Sequence, residues 1–100
     1  MATFEQKVFA ACTQIKPGTV STYAEIARAI GKPKAARAVG NALNKNRSRN
    51  VPCHRVVCSD GRVGGFARGG REKEKMLGKE GVKIQKGRIA GFEKVFQKLK

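Results

Sequence analysis

The sequence has few of the residues that build metal and cofactor sites. Its 100 residues include one histidine and three cysteines, and no Cys-x-x-Cys pair occurs, which argues against a structural zinc site. Neither a Walker-type loop nor a GxGxxG loop is present. We therefore expect no metal and no cofactor.

Long apolar runs are also missing. No stretch is long enough to span a bilayer, and residues 1–6 lack the apolar segment of a secretory signal. An odd number of cysteines (Cys12, Cys53 and Cys58) without such a signal is typical of a reducing compartment. We expect an intracellular protein of the cytoplasm or nucleoid, with no membrane partner.

Acidic residues are scarce. Seven Asp and Glu stand against 22 Lys and Arg, which gives a formal charge of +15. Such an excess repels itself, and its usual reason is a polyanionic partner. A membrane surface or a solvated basic face would also account for it, and charge alone does not separate DNA from RNA. Because the basic residues are spread along the chain, the pattern favours a whole domain bound to nucleic acid.

Hydrophobic residues make up 40% of the sequence, which is enough for the core of one domain over residues 1–100. Helical spacing predicts a helix over residues 3 to about 15, begun by a capping box of Thr3 with Gln6. It also predicts a helix over about 71–80, closed by Gly81. A last amphipathic helix is predicted from Phe92, Val95, Phe96 and Leu99.

Two short helices between residues 22 and 43 have the pattern of a helix-turn-helix. Thr22 with Glu25 predicts a second capping box, Gly31 suits the left-handed position after the helix, and Pro33 opens the next helix. Small residues on that helix would let its backbone come close to a groove wall on one face and to another helix on a different face. Its inward stripe is predicted to be Ala35, Ala38, Val39, Ala42 and Leu43.

A hairpin is predicted after Pro52, with strands at residues 56–58 and 62–63 around an Asp60–Gly61 turn. This hairpin would be the wing beside the helix-turn-helix. We therefore predict a mainly α fold with a small β-hairpin, arranged as a winged helix-turn-helix DNA-binding domain.

The pair Cys53 and His54 is the candidate site for chemistry. A reactive cysteine acts as its thiolate, and an imidazole with positive charge nearby, such as that of Arg55, favours this form. Side chains that are adjacent in sequence need not touch, however. An arbitrary Cys-His pair is more often a buried cysteine beside a hydrogen-bonded histidine.

A reactive cysteine is favoured over a buried one by the surrounding motif, Pro52-Cys53-His54-Arg55-Val56. It resembles the active-site motif of the O6-alkylguanine-DNA alkyltransferases. Residues 22–27 and 33–40 are similar to the two DNA-binding helices of that family. Gly65-Phe66 and Glu80-Gly81 follow at fitting distances. The resemblance extends from residue 3 to about residue 87.

This resemblance implies a DNA repair protein that acts once. The family binds duplex DNA in the minor groove, and it flips O6-alkylguanine into a pocket because chemistry on a stacked base is inaccessible. The alkyl group, typically methyl, would move to Cys53 as a thioether that nothing in the sequence can cleave. The protein would be a monomer that can cluster on DNA.

The resemblance also implies catalytic roles. Glu80 would orient His54 and favour its charged form, and His54 would act through a water to hold Cys53 as a thiolate. Asn46 would brace the hinge between helix and active-site loop.

Roles in DNA binding follow from the same resemblance. Tyr23 would help to rotate the nucleotide out and would donate toward guanine N3, and Arg37 would fill the gap left in the stack. Further DNA contacts are implied for Ala35, Ala36, Ala38, Gly40 and Asn41. A pocket wall is implied for Leu43, Val63, Phe66 and Ala67.

Three features depart from the family pattern. The usual N-terminal domain is absent, so we expect the catalytic DNA-binding domain alone. Residues 47–50 replace a longer, proline-containing loop, which puts tolerance for bulky alkyl groups in doubt. Phe66 stands where a tyrosine is common, so the aromatic wall lacks a hydroxyl.

Other classes of function compete with the transferase. Alkyltransferase-like proteins bind the lesion and recruit other repair factors, but they carry tryptophan at the cysteine position, and Cys53 argues against them. A winged-helix regulator with an incidental cysteine fits the composition but not the full motif. A Cys-His hydrolase would need an oxyanion site that the sequence does not reveal.

Overall fold

Short helices and two-residue strands make up the fold in the computed structural model, which describes residues 2–46, 48–64 and 70–100. The helices are α1 (Phe4–Cys12), α2 (Tyr23–Ala29), α3 (Ala36–Asn44), α4 (Gly70–Lys79) and α5 (Phe92–Val95). The strands are β1 (Ser21–Thr22), β2 (Val56–Val57), β3 (Ile84–Gln85) and β4 (Arg88–Ile89). A 3-10 helix, Cys53–Arg55, directly precedes β2.

Helix α1 begins as predicted and ends earlier. The Thr3 hydroxyl accepts from the Gln6 N–H at 3.1 Å, and the Gln6 side chain accepts from the Thr3 N–H at 2.9 Å, so the capping box is confirmed. The predicted extension to Ile15 is wrong. The Ile15 N–H bonds three residues back, to Cys12 at 3.1 Å, because the chain tightens into turns after the helix.

Helices α2 and α3 pack against each other as a helix-turn-helix. The Thr22 hydroxyl caps α2 by accepting from the Glu25 N–H at 3.0 Å, and Gly31 is left-handed with φ 80°. The second capping box is incomplete, because the Glu25 carboxylate binds elsewhere. Helix α3 starts at Ala36, not near Pro33, because turns occupy the preceding residues.

The two-stranded parallel sheet β1–β2 joins the two hydrophobic clusters. Ser21 pairs with Val56 and Thr22 with Val57. Successive strand residues point to opposite faces, so Val56 enters the cluster formed by α1, α2 and α3. Val57 enters the second cluster, which also contains Val20, Val63, Leu77, Val82 and Ile89.

The predicted hairpin exists as a turn but not as a pair of strands. The Cys58 N–H bonds the Arg62 carbonyl at 2.9 Å, while β2 pairs with β1 and Arg62 bridges Arg88. The antiparallel hairpin of the described residues is instead β3–β4. Its turn residues Lys86 and Gly87 have φ of 52° and 76°, the signs of a type I′ turn.

The predicted last helix is mostly wrong. Helix α5 has four residues, after which Phe96 turns extended and bridges Val20. Leu99 then inserts into the first cluster, and its N–H donates to the Glu25 carboxylate at 2.7 Å. Of the apolar residues of this segment, Leu99 is buried from the extended tail, Phe92 and Val95 pack from α5 against the second cluster, and Phe96 is exposed.

The described helices are short, and the longest of them, α4, has ten residues. Within residues 2–46, 48–64 and 70–100, none could reach across a lipid bilayer.

The Glu25 carboxylate is the anchor of the C-terminal tail, and its loss should destabilise the fold. Besides Leu99, it accepts two bonds from Arg28, and these hydrogen bonds lower the pKa of Glu25 from its ordinary 4.5. We expect Glu25→Gln to lower the free energy of unfolding by about 1–2 kcal/mol at neutral pH, measured by urea unfolding.

This difference should depend on pH. A lowered carboxyl pKa stabilises the fold above about pH 4.5, and the contribution is lost as pH falls through the lowered value. The exposed Glu93 on α5 provides the control, and Glu93→Gln should have little effect. Equal stability of the two variants at neutral pH would contradict the anchoring role of Glu25.

Candidate functional site

Cys53 lies at the start of the 3-10 helix, where the chain is constrained on both sides. Its N–H donates to the Val51 carbonyl at 2.8 Å, and its carbonyl accepts from the Val56 N–H. Pro52 has φ −79°, which suits the proline ring and fixes the entry of the chain. The side chain is half-buried, so the thiol is shielded and still accessible.

Asn46 connects the end of α3 to this segment. Its amide nitrogen lies 3.5 Å from Cys53 Sγ and 3.4 Å from the Val51 carbonyl. The same nitrogen donates to the Ser48 carbonyl at 3.0 Å, and the amide oxygen accepts from the Ser48 N–H. One side chain therefore holds the polar loop and the cysteine segment together.

The two residues that follow Cys53 in the chain, His54 and Arg55, form a polar cluster with Glu80. His54 Nε2 lies 3.1 Å from Glu80 Oε2, and Arg55 binds the same carboxylate through Nε and Nη2, the latter at 2.6 Å. Arg55 Nη1 donates to the Ile15 carbonyl at 2.8 Å, which ties the cluster to the end of α1. Arg55 therefore holds the Glu80 carboxylate in the position from which it contacts His54.

The protonation of this cluster differs from the expectation of a charged imidazole. Burial of the ring lowers the pKa of His54, and the Glu80 contact only partly offsets this effect. Burial alone would raise the pKa of Glu80, but hydrogen bonds from Arg55 and His54 outweigh it and lower the pKa. At neutral pH, a neutral His54 therefore donates its Nε2–H to an ionised Glu80, which leaves Nδ1 as an acceptor.

Tyr23 begins α2 and contacts a buried lysine. Lys73 on α4 is fully buried, and its Nζ donates to the Tyr23 hydroxyl at 3.2 Å. Burial raises the pKa of Tyr23 to about 12 and lowers that of Lys73 to about 8. A side-chain carbon added at Gly64 would lie 3.1 Å from Cys58 Sγ and 3.7 Å from the Tyr23 hydroxyl, so the glycine permits close packing here.

The residues predicted to contact DNA lie on two faces of α3. Arg37, Ala38 and Asn41 are exposed, so Ala38 does not belong to the predicted inward stripe. Ala35, Ala36 and Gly40 are half-buried, and a side-chain carbon added at Gly40 would lie 3.7 Å from the Tyr23 ring.

The predicted pocket residues are not all placed at the site. Leu43 is buried in the first cluster and Val63 in the second. Phe66 and Ala67 lie outside the described residues. No group of three or more potential metal ligands occurs within the described parts of the chain.

Comparison with known sequences identifies the family of the chain. Residues 3–82 match the sequence model of the 6-O-methylguanine DNA methyltransferase, DNA binding domain. The chain belongs to this family. The resemblance predicted from the motifs is therefore confirmed.

Relatives of this family differ in length from the chain. A methylated-DNA–protein-cysteine methyltransferase of Methanosarcina acetivorans is 47% identical over 79 residues, covering 78% of this chain and 51% of that protein. The chain spans about a quarter to a half of the length of the first curated relatives that it matches.

Two solved structures confirm the predicted fold class. One is Mycobacterium tuberculosis OGT in complex with DNA, with a TM-score of 0.75 and 41% identity over 80% of this chain and 50% of that one. The other is S. pombe Atl1 in complex with damaged DNA containing O6-carboxymethylguanine, with a TM-score of 0.86 and 34% identity. It covers 98% of this chain and 99% of that one.

Sequence reasoning missed two contacts of the site, that of Arg55 with Glu80 and that of Lys73 with Tyr23. Arg55 stands in the active-site motif, which was a signal of its importance. The motif does not reveal that Arg55 binds Glu80, because Glu80 lies 25 residues further along the chain. Lys73 had no such signal, because a lysine in a lysine-rich helix is expected on the surface. Cys12 is fully buried, and burial raises its pKa to about 12, so it is an unreactive thiol.

Acid should destabilise this protein through His54 before it acts through Glu80. Both groups have a lowered pKa in the folded state, so the unfolded state binds more protons as pH falls. We expect full stability above the ordinary histidine value of 6.5 and a decline below it. The free energy of unfolding from urea titrations at several pH values measures this slope.

The protein carries its own control, because His54 is its one histidine. In His54→Gln the decline should begin only near the ordinary carboxyl pKa of 4.5. A wild-type stability that stays flat, or rises, between about pH 6.5 and pH 5 would contradict a lowered His54 pKa.

Proposed function

We propose that this protein repairs duplex DNA by transferring an alkyl group, typically methyl, from O6 of guanine to Cys53 Sγ. The observation that carries the proposal is the position of Cys53: 3.5 Å from the Asn46 amide and next to the His54–Glu80 pair. The family model matched by residues 3–82 supports it. Repair by this route is stoichiometric, because the product is a thioether.

The first step is formation of the nucleophile. A neutral His54 with Nε2–H on Glu80 presents Nδ1 as a base, which can take the cysteine proton directly or through a water. The thiolate then attacks the alkyl carbon in line. The C–S bond forms as the C–O6 bond breaks, and the bonding electron pair leaves with guanine.

The second requirement is to stabilise the leaving guanine anion. Lys73 donates to the Tyr23 oxygen, and we propose that the tyrosine O–H donates to the flipped base as negative charge develops on it. The Lys73 cation beside Tyr23 strengthens the phenol as a donor. Its pKa of about 8 keeps it charged at neutral pH.

DNA recognition is assigned to α3 and to the overall charge of +15. Arg37 is exposed at the start of this helix, where it can enter the base stack in place of the flipped nucleotide. Gly40 faces the Tyr23 ring, because a carbon added there would lie 3.7 Å from it, so the helix proposed to contact the groove lies next to the residue proposed to contact the base. We propose that a monomer carries out these steps.

A second candidate is recognition of the lesion without transfer. S. pombe Atl1, whose structure contains damaged DNA, matches this chain over nearly its full length, whereas the methyltransferase of Methanosarcina acetivorans is about twice as long. In that case, the site would hold O6-alkylguanine for other repair factors. The cysteine with its asparagine and histidine neighbours favours transfer.

Intact-protein mass spectrometry separates the two candidates. After incubation with a duplex that contains one O6-methylguanine, we expect wild type to gain one methyl group, mapped to Cys53, and the base to return to guanine. Cys53→Ala should gain nothing and still bind the duplex, and Cys58→Ala should react like wild type. No mass gain, with preferential binding to the lesion, would instead establish the second candidate.

Tyr23 and Lys73 should act as one unit in transfer. Loss of one hydrogen-bond donor to a developing anion typically lowers a rate by about a hundredfold to a thousandfold, and we expect this for Tyr23→Phe in single-turnover assays. Lys73→Met should reduce the rate through Tyr23, so the double variant should be no slower than Tyr23→Phe.

The pH dependence gives an independent readout for Lys73. Its cation is lost as pH rises through about 8, so the rate advantage of wild type over Lys73→Met should shrink above that pH. Lys75→Met, on the exposed side of α4, is the matched control and should react like wild type. Additive losses in the double variant would show that the two residues act separately.

A further inference from the structure

The β3–β4 hairpin places a group of cations on one side of the molecule. Ile84 and Ile89 pair across the strands and pack into the second cluster. Side chains alternate along a strand, so Lys83, Gln85 and Arg88 share the opposite face, and all three are exposed. Lys86 is exposed at the turn.

These cations are not neutralised within the described part of the chain. The nearby acid Asp60 forms its ion pair with Arg62 at 2.8 Å, and Arg88 reaches only the Asp60 carbonyl, at 3.3 Å. No ion pair of Lys83, Lys86 or Arg88 occurs among the described residues. The hairpin therefore presents three positive charges to solvent.

Lys86 occupies a position where lysine is unfavourable. It is the one described non-glycine residue with positive φ, at 52°, and the next residue is Gly87 at 76°. Asn, Asp and Gly are the residues preferred at the first centre of such a turn, because they adopt the left-handed region more easily. The turn itself does not require a lysine at this position. A strained residue kept where an easier one would fit indicates a function for its side chain.

The hairpin is joined directly to the proposed base pocket. The Val63 N–H donates to the Gly87 carbonyl at 2.8 Å, and the next residue, Gly64, lies beside the Tyr23 hydroxyl. Successive Cα atoms are about 3.8 Å apart, so the turn lies within a few residue lengths of Tyr23. An open cleft of about 510 Å³ at the turn is lined by Cys58, Gly64, Lys86 and Arg88, with Glu74 as its carboxylate.

We propose that the hairpin binds DNA phosphates through Lys83, Lys86 and Arg88, on the strand next to the nucleotide held at Tyr23 and Cys53. This inference rests on the proposed function for the position of the DNA. It adds a second contact surface to α3, and the two surfaces would hold the strand on both sides of the flipped nucleotide. The phosphates are read by charge, so the contact carries no sequence preference.

The salt dependence of DNA binding tests this surface. The probe is a fluorescein-labelled duplex without a lesion, and the dissociation constant is measured by anisotropy between about 50 and 200 mM salt. Each lost phosphate contact lowers the slope of log affinity against log salt by about 0.9. We expect Lys86→Asn to lose one contact, so across this range wild type should lose about threefold more affinity than the variant.

The asparagine variant also separates binding from folding. Asn fits the left-handed turn better than Lys, so the Tm of Lys86→Asn should be equal to or higher than that of wild type while its binding is weaker. The triple variant Lys83→Gln, Lys86→Asn, Arg88→Gln should lower the slope by about 2 to 3. Lys7→Gln, exposed on α1, removes the same charge elsewhere and should leave the slope unchanged.

An unchanged slope in Lys86→Asn and in the triple variant would overturn the proposal, as would an equal effect of Lys7→Gln. Whether wild type transfers the methyl group shows which proposal has failed, the hairpin contact or the transferase function. Transfer with an unchanged slope rejects the hairpin contact alone. A hairpin-dependent slope without transfer rejects the transferase and keeps the hairpin as a DNA-binding surface.

Discussion

The pairing of β1 with β2 is the constraint on which the rest of the site depends. Two residues from each strand are too few to be stable by themselves. Their register is fixed because Val56 and Val57 must enter different hydrophobic clusters, and a slip of one residue would exchange them. Tyr23 directly follows β1 and the 3-10 helix of Cys53 directly precedes β2, so this register sets how the two are placed.

Buried charge around this pair is managed by close partners. Glu80 is held by Arg55 and His54, and its pKa is lowered although burial opposes ionisation. Lys73 donates to the Tyr23 hydroxyl, and burial lowers its pKa to about 8. The site therefore combines a neutral imidazole, an ionised carboxylate and a lysine whose pKa is lowered to about 8.

Local signals in the sequence predicted some elements well and others poorly. The capping box at Thr3 and the left-handed Gly31 were confirmed, because both depend on neighbours within a few residues. The strand at Val56–Val57 was predicted, but its pairing with residues 62–63 and the C-terminal helix were wrong, because the true partners are distant: β2 pairs with β1, and Leu99 binds Glu25. An Asp-Gly pair predicted a hairpin at Asp60–Gly61, whereas the antiparallel strands β3 and β4 turn at Lys86 and Gly87. Local preference disfavours a lysine at this turn, so the sequence did not reveal it.

The sequence by itself determined the family, the helix-turn-helix and the candidate nucleophile, since each is written in a contiguous motif or in periodic apolar residues. Only the tertiary structure decided which side chains surround Cys53 and in what protonation state. Lys73 sits beside Tyr23 although 50 residues separate them, and His54 is neutral because burial outweighs the charge of Glu80. Distance and burial are properties of the folded chain, so no pattern of neighbours along the sequence contains them.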